Sequence, residues 1–393
     1  MKSIILKPGR EKSVIRRHPW IFSGAIDKVI GEPSVGETVQ VKDSKQNPLA
    51  VAAFSPHSSI RARIWDWNPD AKINTDFFKN KLDDAIKIRK YALDKNLNST
   101  RLFYAESDGI PGLIVDRYSD WLVLQFLTTG VEFWREILIQ LVREICHIQN
   151  VYERSDVEIR ELEGLPLRTG SLCGEEPPDE IEIIENGFKF LVDIKHGQKT
   201  GFYLDQHENR ARIQDYAKDR SVLDCFCHTG GFSIYAAAAG ARNISCIDSS
   251  RNALEMAKRN FLLNNHPIDL IDWVEGDVFE ELRKMRDHNK KFDLIVLDPP
   301  KFAPTSSQVH KAARGYKDIN LLALKLLNPH GILFTFSCSG GITMDLFQKI
   351  IADAALDAGV YLRIIEKLHQ SADHTIAINF PESEYLKGLI CQI

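Results

Sequence analysis

The stretch SVLDCFCHTGGFSIYAAAAG, residues 221–240, decides how the C-terminal half of this chain is read. An apolar run ends at Asp224, a short loop carries the adjacent Gly230 and Gly231, and SIYAAAAG has the composition of a helix. This is a strand, a turn and a helix, with an acid at the carboxyl end of the strand. A dinucleotide site would space its glycines as G-x-G-x-x-G, so that backbone amides surround a pyrophosphate. Here the glycines are adjacent and the carboxylate comes first. That arrangement suits a ligand with a positive amino group and no diphosphate.

The same pattern recurs downstream. NISCID, LIDWVE, FDLIVLD and GILFTFS are short apolar runs, with helical stretches such as SRNALEMAKRNFLLNN among them. VYLRIIEKL and YLKGLICQI add two closing strands. Such alternation predicts an α/β domain with a parallel sheet covered by helices on both faces. NISCID ends at Asp248, placed to accept from both hydroxyls of a ribose. The third strand leads into Gly276-Asp277-Val278, where a carboxylate meets an adenine amino group. Acid, paired glycines, acid and acid, in that order at successive strand ends, is the pattern of an S-adenosylmethionine (S-adenosyl-L-methionine) site. Singly, each of these residues reads equally well as a loop residue or a helix cap.

DPPKFAP (298–304) then falls at the fourth strand end and FSCSG (336–340) at the fifth. Ligands of open α/β sheets bind beyond the carboxyl ends of the strands, where strand order reverses. Asp298 and Cys338 are therefore expected to face one pocket, with the two prolines fixing its wall. A cysteine is often only a small buried hydrophobe. Its place between two serines, ahead of Gly340-Gly341, favours a nucleophile instead. A thiolate is needed when the methyl acceptor is a carbon without a usable lone pair, as at C5 of cytosine or uracil after attack on C6.

The chain has 393 residues, 44% hydrophobic and 26% charged, a length that suggests two or three domains. No apolar run approaches the roughly 18 residues of a membrane helix, and MKSIILKPGR is too polar for a signal-peptide core. Seven scattered cysteines lack the paired spacing of a zinc site, so no metal is expected, and their pattern favours the reducing cytosol. The net charge of −4 is unevenly spread. Residues 1–70 carry 11 Lys/Arg against 7 Asp/Glu, leaving 39 against 47 for the rest. The excess lies in GREKSVIRRH, just before Pro19-Trp20, and basic groups interleaved with Trp20 and Phe22 suit phosphate contact and base stacking. The bland alternative is a solvated basic face.

Residues 1–70 read as all-β, with strands in VGETVQVKD, LAVAAF and SIRARIWDW. NTDFFKNKLDDAIKIRKYALDKN reads as a capped helix. GLIVDRYSDWLVLQF, VEFWREILIQLVREI and NVYERSD then make a small β-β-α-β unit, GEEPPDE (174–180) a boundary, and IEIIENGFKFLVDI a hairpin about Asn186-Gly187. The expected domains are 1–72, 73–180 and 181–393.

Nearly the entire chain resembles the bacterial 23S rRNA cytosine-C5 methyltransferase I family, through GREKSVIRRHPWIFSGA, ESDGIPGLIVDR, HGQKTGFYLDQ, CFCHTGGF, DPPKF, RGYKDIN and SCSG. The resemblance implies an N-terminal RNA-binding PUA domain, a small α+β middle domain and a Rossmann-like methyltransferase domain with a seven-stranded, mostly parallel sheet. It implies Cys338 as nucleophile, Asp298 against the pyrimidine edge, and 23S rRNA as partner, with a homodimer as an open option and no membrane association. Asp224, Asp248 and Asp277 would hold the cofactor, flanked by a wall from Lys199 to Arg210 that includes Thr200, Phe202 and Gln206. Phe226, Thr229, Gly230, Gly231, Ser249, Val278, Pro299 and, in a second role, Asp298 complete that cofactor site. Two departures stand near it: His207 replaces the usual arginine, and Cys227-His228 a Ser-Tyr pair. Pro300 occupies the region where many RNA C5 methyltransferases carry a second cysteine, so the base for the C5 proton is unassigned. Guanine-N2 methylation, whose enzymes share D-P-P-x-F, and a non-catalytic ribosome-binding factor are the rival readings.

Overall fold

The computed structural model describes residues 2–92, 97–302 and 309–393. The last two residues of DPPKFAP, the start of the following TSSQVHK and the end of the helix expected to reach residue 96 lie outside them. The chain divides into two compact units. One comprises Met1–Ile184, Val192–Leu204 and Ala372–Ser383; the other comprises Glu185–Leu191, Asp205–Ser371 and Glu384–Ile393.

In the first unit, β1 (Ser3–Leu6), β2 (Trp20–Phe22), β3 (Ile26–Ile30), β4 (Thr38–Lys42), β5 (Pro48–Phe54) and β6 (Ile60–Asp66) form one sheet. Its order is β2-β6-β5-β4-β1-β3, and only β1 and β4 run parallel. The alternation in VGETVQVKD buries Val39 and Val41 on one face of β4. The all-β expectation needs one correction, because Lys12–Ile15 in the basic run is a helical turn. Val14 anchors it in the core while Lys12, Arg16 and Arg17 stay exposed.

A second sheet contains β7 (Ser99–Tyr104), β8 (Leu113–Tyr118), β9 (Trp121–Phe126), β10 (Asn150–Ser155) and β11 (Arg168–Cys173), in the order β11-β10-β9-β8-β7. That is two strands more than the sequence suggests, since STRLFY and RTGSLC are too polar to announce themselves. In β7 the polarity is neutralised in place: Arg101 makes a two-pronged pair with Asp116 of β8, 2.8 Å on each arm. The helix Thr75–Ala92 starts where expected, with the Phe77 amide donating to Asn74 Oδ1 at 3.0 Å. Val51, Ala53 and Trp65 of the first sheet share a core with Phe78, Phe126 and Leu138. Buried Glu163 accepts from Arg63 (2.8 Å) and Ser55 (2.9 Å), joining the two sheets. A boundary near residue 72 thus crosses one continuous apolar cluster.

β12 (Ile181–Glu185) and β13 (Phe188–Val192) form a two-stranded sheet. Asn186 (φ 49°) and Gly187 (φ 85°) both take left-handed geometry, as a type I′ turn requires.

The second unit carries β14 (Ser221–Cys225), β15 (Asn243–Asp248), β16 (Ile271–Glu275), β17 (Phe292–Leu297), β18 (Leu327–Ser337), β19 (Arg363–His369) and β20 (Lys387–Gln392). The order is β16-β15-β14-β17-β18-β20-β19. All neighbours are parallel except β20, which is antiparallel to both β18 and β19. The central strands are buried on both faces, so they read as unbroken apolar runs. The helices Val309–Leu326 and Met344–Ala358 close one face, packing Tyr316, Ile319, Phe347 and Ile351 into a cluster with Ile295, Leu333 and Leu389. Each such apolar side chain contributes about 1.5–3 kcal/mol when fully buried. Chain order reverses between β14 and β17, which opens a crevice at their carboxyl ends. Among the described residues, no helix is long and apolar enough to cross a membrane.

Candidate active site at the strand ends

Asp224 sits at the end of β14 and is 1% exposed. Ser233, on the helix Gly231–Ala238, donates to its Oδ2 at 2.6 Å, whereas Oδ1 has no hydrogen-bond partner. Burial pushes this carboxyl up to about 7, and the nearby carboxylates Asp298 and Asp248 add to the rise. A buried acceptor without a partner is costly in a folded chain. It marks a place for a donor, best a cationic one. Gln206, also 1% exposed, repeats the pattern: its oxygen accepts from Asn209 at 2.6 Å and its Nε2 is unpartnered. A ligand carrying both an ammonium and acceptor groups satisfies both.

The loop after β14 is shaped to bring its backbone close. Phe226 (φ 61°) and His228 (φ 50°) are both left-handed, a geometry that side chains resist and that concentrates at functional loops. Thr229 is buried, and its carbonyl accepts from Asn260 at 3.0 Å. Gly231 leaves room for Arg210: a Cβ there would lie 2.8 Å from the arginine Cδ. Arg210 in turn makes a buried two-pronged pair with Glu185, at 2.7 and 2.6 Å. Asp248, half-buried at the end of β15, accepts from the backbone of His228 (2.9 Å) and of Ser250 (2.8 Å). Each of its oxygens retains a lone pair for a ribose hydroxyl. Ser249 is exposed beside it.

Asp277 is exposed and caps the helix Val278–Asp287 by accepting from Glu280 at 3.1 Å, while Val278 is buried. Its capping role is real, and one carboxylate oxygen remains for a ligand. Thr200 and Phe202 belong to the first unit, where their polar groups are engaged. The Thr200 hydroxyl donates to Asp116 (2.6 Å) and lies 2.8 Å from the Tyr118 hydroxyl, and Tyr118 bridges the Phe202 amide and carbonyl.

Beyond β17, Asp298 is half-buried, Pro299 buried and Pro300 exposed. The Cys338 thiol, half-buried past β18, lies 4.0 Å from the Pro299 carbonyl. The DPP turn and the cysteine are therefore neighbours at adjacent strand ends. Tyr316 stands beside them with its hydroxyl 3.0 Å from Ser339, and burial raises it, as do the charges of Cys338 and Asp298. One residue is not evident in the sequence. Lys387, 4% exposed at the start of β20, donates to the carbonyls of Ser339 (2.9 Å) and Tyr385 (2.6 Å). Burial draws it down to about 8. Its only signal is a lysine opening an otherwise apolar strand, KGLICQ. Cys225, Cys227 and Cys246 are all buried, and burial pushes the thiols of the first two up.

Comparison with known proteins gives the family and the fold. Residues 165–385 match the S-adenosylmethionine-dependent methyltransferase family, and residues 4–67, which span the first sheet, match the PUA-like domain. Fold and site thus define a methyltransferase whose cofactor is S-adenosylmethionine, joined to a PUA-like domain. More narrowly, the chain belongs to the ribosomal RNA large subunit methyltransferase I family. It is 52% identical over 390 residues to the protein of that name from Tolumonas auensis, covering 99% of this chain and 98% of that one. With the Escherichia coli K12 protein of the same name it shares 47% over 391 residues, 99% of each. Two solved structures share the fold over the full length of both chains. One, assigned as a SAM-dependent methyltransferase from Streptococcus mutans, has 22% identity and a TM-score of 0.85. The other, a methyltransferase complexed with S-adenosylhomocysteine, has 21% identity and a TM-score of 0.86.

Proposed function

We propose that this chain methylates C5 of a cytosine in 23S ribosomal RNA, in the cytoplasm, with Cys338 as the nucleophile. The observation that carries this reading is the closeness of the two strand ends, where the Cys338 sulfur lies 4.0 Å from the carbonyl of Pro299, the residue after Asp298. The names of the relatives, large-subunit rRNA methyltransferases, support the class of substrate. The exposed Lys12, Arg16 and Arg17 on the PUA-like module supply phosphate contacts. Trp20 is less available for stacking than its sequence position suggests. Its indole N–H donates to Glu106 at 2.7 Å and its ring packs on Phe380 at 4.8 Å, so Phe22, 49% exposed, is the better platform.

In this reaction the Cys338 thiolate adds to C6 of the pyrimidine, which breaks the C5–C6 double bond and leaves its electron pair on C5, making that carbon the nucleophile. Asp298 holds the pyrimidine edge, and Pro299 and Pro300 keep that wall rigid. Asp224, Gln206, Asp248 and Asp277 would hold the cofactor, whose chemistry when bound would be an electrophilic methyl group for C5. A base then takes the C5 proton, the double bond re-forms, and Cys338 leaves C6 as thiolate. RNA with 5-fluorocytosine at the target has no C5 proton to lose. It should therefore leave a covalent protein–RNA adduct that survives denaturing electrophoresis. Cys338→Ala should abolish adduct and turnover while S-adenosylhomocysteine still binds, and Cys225, Cys227 and Cys246 should tolerate replacement better. A Cys338→Ala enzyme that still methylates at a comparable rate refutes C5 chemistry and favours guanine N2.

A further inference from the structure

Lys387 is a buried cation that the reaction just described does not use. Its register places it opposite Ser337, the last residue of β18, and its Nζ bonds the carbonyl of Ser339. Cys338 is the residue between those two. Of the three ammonium N–H groups, two go to carbonyls. Among the described residues, no carboxylate forms an ion pair with the third. An ammonium enclosed on these terms is expensive, and an apolar side chain would serve β20 better. We propose that Lys387 is the positioning residue that keeps Cys338 as a thiolate before RNA binds; the proposal rests on Cys338 being the nucleophile.

The chemistry is a single ionisation. The Cys338 S–H bond breaks, the proton leaves to solvent, and the new negative charge is stabilised by the field of the Lys387 ammonium, which is anchored on the adjacent Ser339 carbonyl. Lys387 remains mostly ammonium at neutral pH, and the cysteine's charge favours that form. The other groups bearing on the pair are Glu384, which also favours the ammonium, and Lys301, which opposes it. Asp298, at the end of β17, and Tyr316, on the helix Val309–Leu326 with its hydroxyl 3.0 Å from Ser339, are the other titratable groups close by. A lysine beside a cysteine promotes the thiolate, the form that reacts.

The test uses the full-length ligand-free chain and iodoacetamide between pH 6 and 10, with alkylation of Cys338 read by peptide mass spectrometry. In the wild-type protein the midpoint should fall below the roughly 8.5 of an ordinary thiol. A wild-type midpoint at or above that value overturns the proposal without any variant. Lys387→Met should slow alkylation at pH 7 about tenfold, the effect of moving the midpoint by one pH unit. Lys387→Arg, which retains the charge, should recover most of the rate. Cys173 serves as the internal control, and S-adenosylhomocysteine binding reports that each variant is folded. A Lys387→Met chain that binds S-adenosylhomocysteine and alkylates with the wild-type profile overturns the proposal. Failure of the 5-fluorocytosine adduct would instead count against the C5 reaction, so the two failures are separable.

Discussion

Replacing Asp224 by asparagine isolates the electrostatics of the cofactor cradle. The carboxyl rises from the ordinary 3.8 to about 7, chiefly through burial. A group whose folded value is raised binds its proton more tightly in the folded state. The folded state is therefore favoured at low pH and loses that advantage as pH climbs from about 4 to about 7. The full displacement corresponds to about 4 kcal/mol, of which about 2–3 kcal/mol falls between pH 5 and pH 8.

The amide in Asp224→Asn keeps the shape and can still accept from Ser233, but it does not titrate. It leaves an N–H without a partner where Oδ1 now stands, and that cost is the same at every pH. The change in stability with pH is therefore the clean quantity. Thermal melts of the ligand-free chains at matched ionic strength should show the wild type losing ground to the variant between pH 5 and pH 8. The relative loss should be several degrees, at about 2–4 °C per kcal/mol for a domain of this size. S-adenosylhomocysteine affinity should fall in the variant despite its better tolerance of high pH. A wild-type-minus-variant difference that stays flat across that range would refute the assignment of a buried, strained carboxyl.

Two further outcomes are expected. Asp248→Asn gives up one acceptor for a donor against the His228 amide or a ribose hydroxyl, so S-adenosylhomocysteine should bind about 1.5–3 kcal/mol more weakly; unchanged affinity by calorimetry removes Asp248 from the cofactor site. Arg16→Ala combined with Arg17→Ala should flatten the salt dependence of RNA binding, by roughly 0.7–0.9 in log–log slope for each phosphate that the protein no longer neutralises. Cofactor affinity should not change, and an identical slope would mean that the basic run is a solvated face.

The parts legible in the sequence are those dictated by local chemistry. β14, β15, β17 and β18 are largely buried, so each shows as an apolar run, with Asp224, Asp248 and Asp298 at the ends of the first three. The Asn186-Gly187 turn is equally plain, because two consecutive left-handed residues favour that dipeptide. What the sequence hides depends on partners far away in the chain. β7 is polar in sequence and becomes a strand whose Arg101 is answered by Asp116. Arg89 looks like a solvated end of its helix, yet it is 1% exposed and bonded to the Arg101 carbonyl and Asp108. No periodicity shows that Val51, Ala53 and Trp65 complete the core of the next sheet. Lys387 is the same kind of case, since its meaning comes from Ser339, 48 positions away.

Burial acts with opposite signs on the two ends of this site. It raises Asp224 to about 7 and lowers Lys387 to about 8, moving both towards neutrality. Each is thereby held close to the point where an opposite charge decides its state. A cationic ligand at Asp224 would make the carboxylate favourable, and a thiolate at Cys338 would keep Lys387 protonated. Asp298 lies at the end of β17, between β14 and β18 in the sheet, and its charge bears on both neighbours: it opposes ionisation of Asp224 and raises Tyr316 beside the cysteine. A cofactor with positive charge therefore offsets two carboxylates at once and relieves their mutual repulsion. A neutral ligand would leave that repulsion in place, and a diphosphate would add to it. That charge balance, as much as the spacing of the glycines, predicts that the site prefers a cationic methyl donor to a dinucleotide.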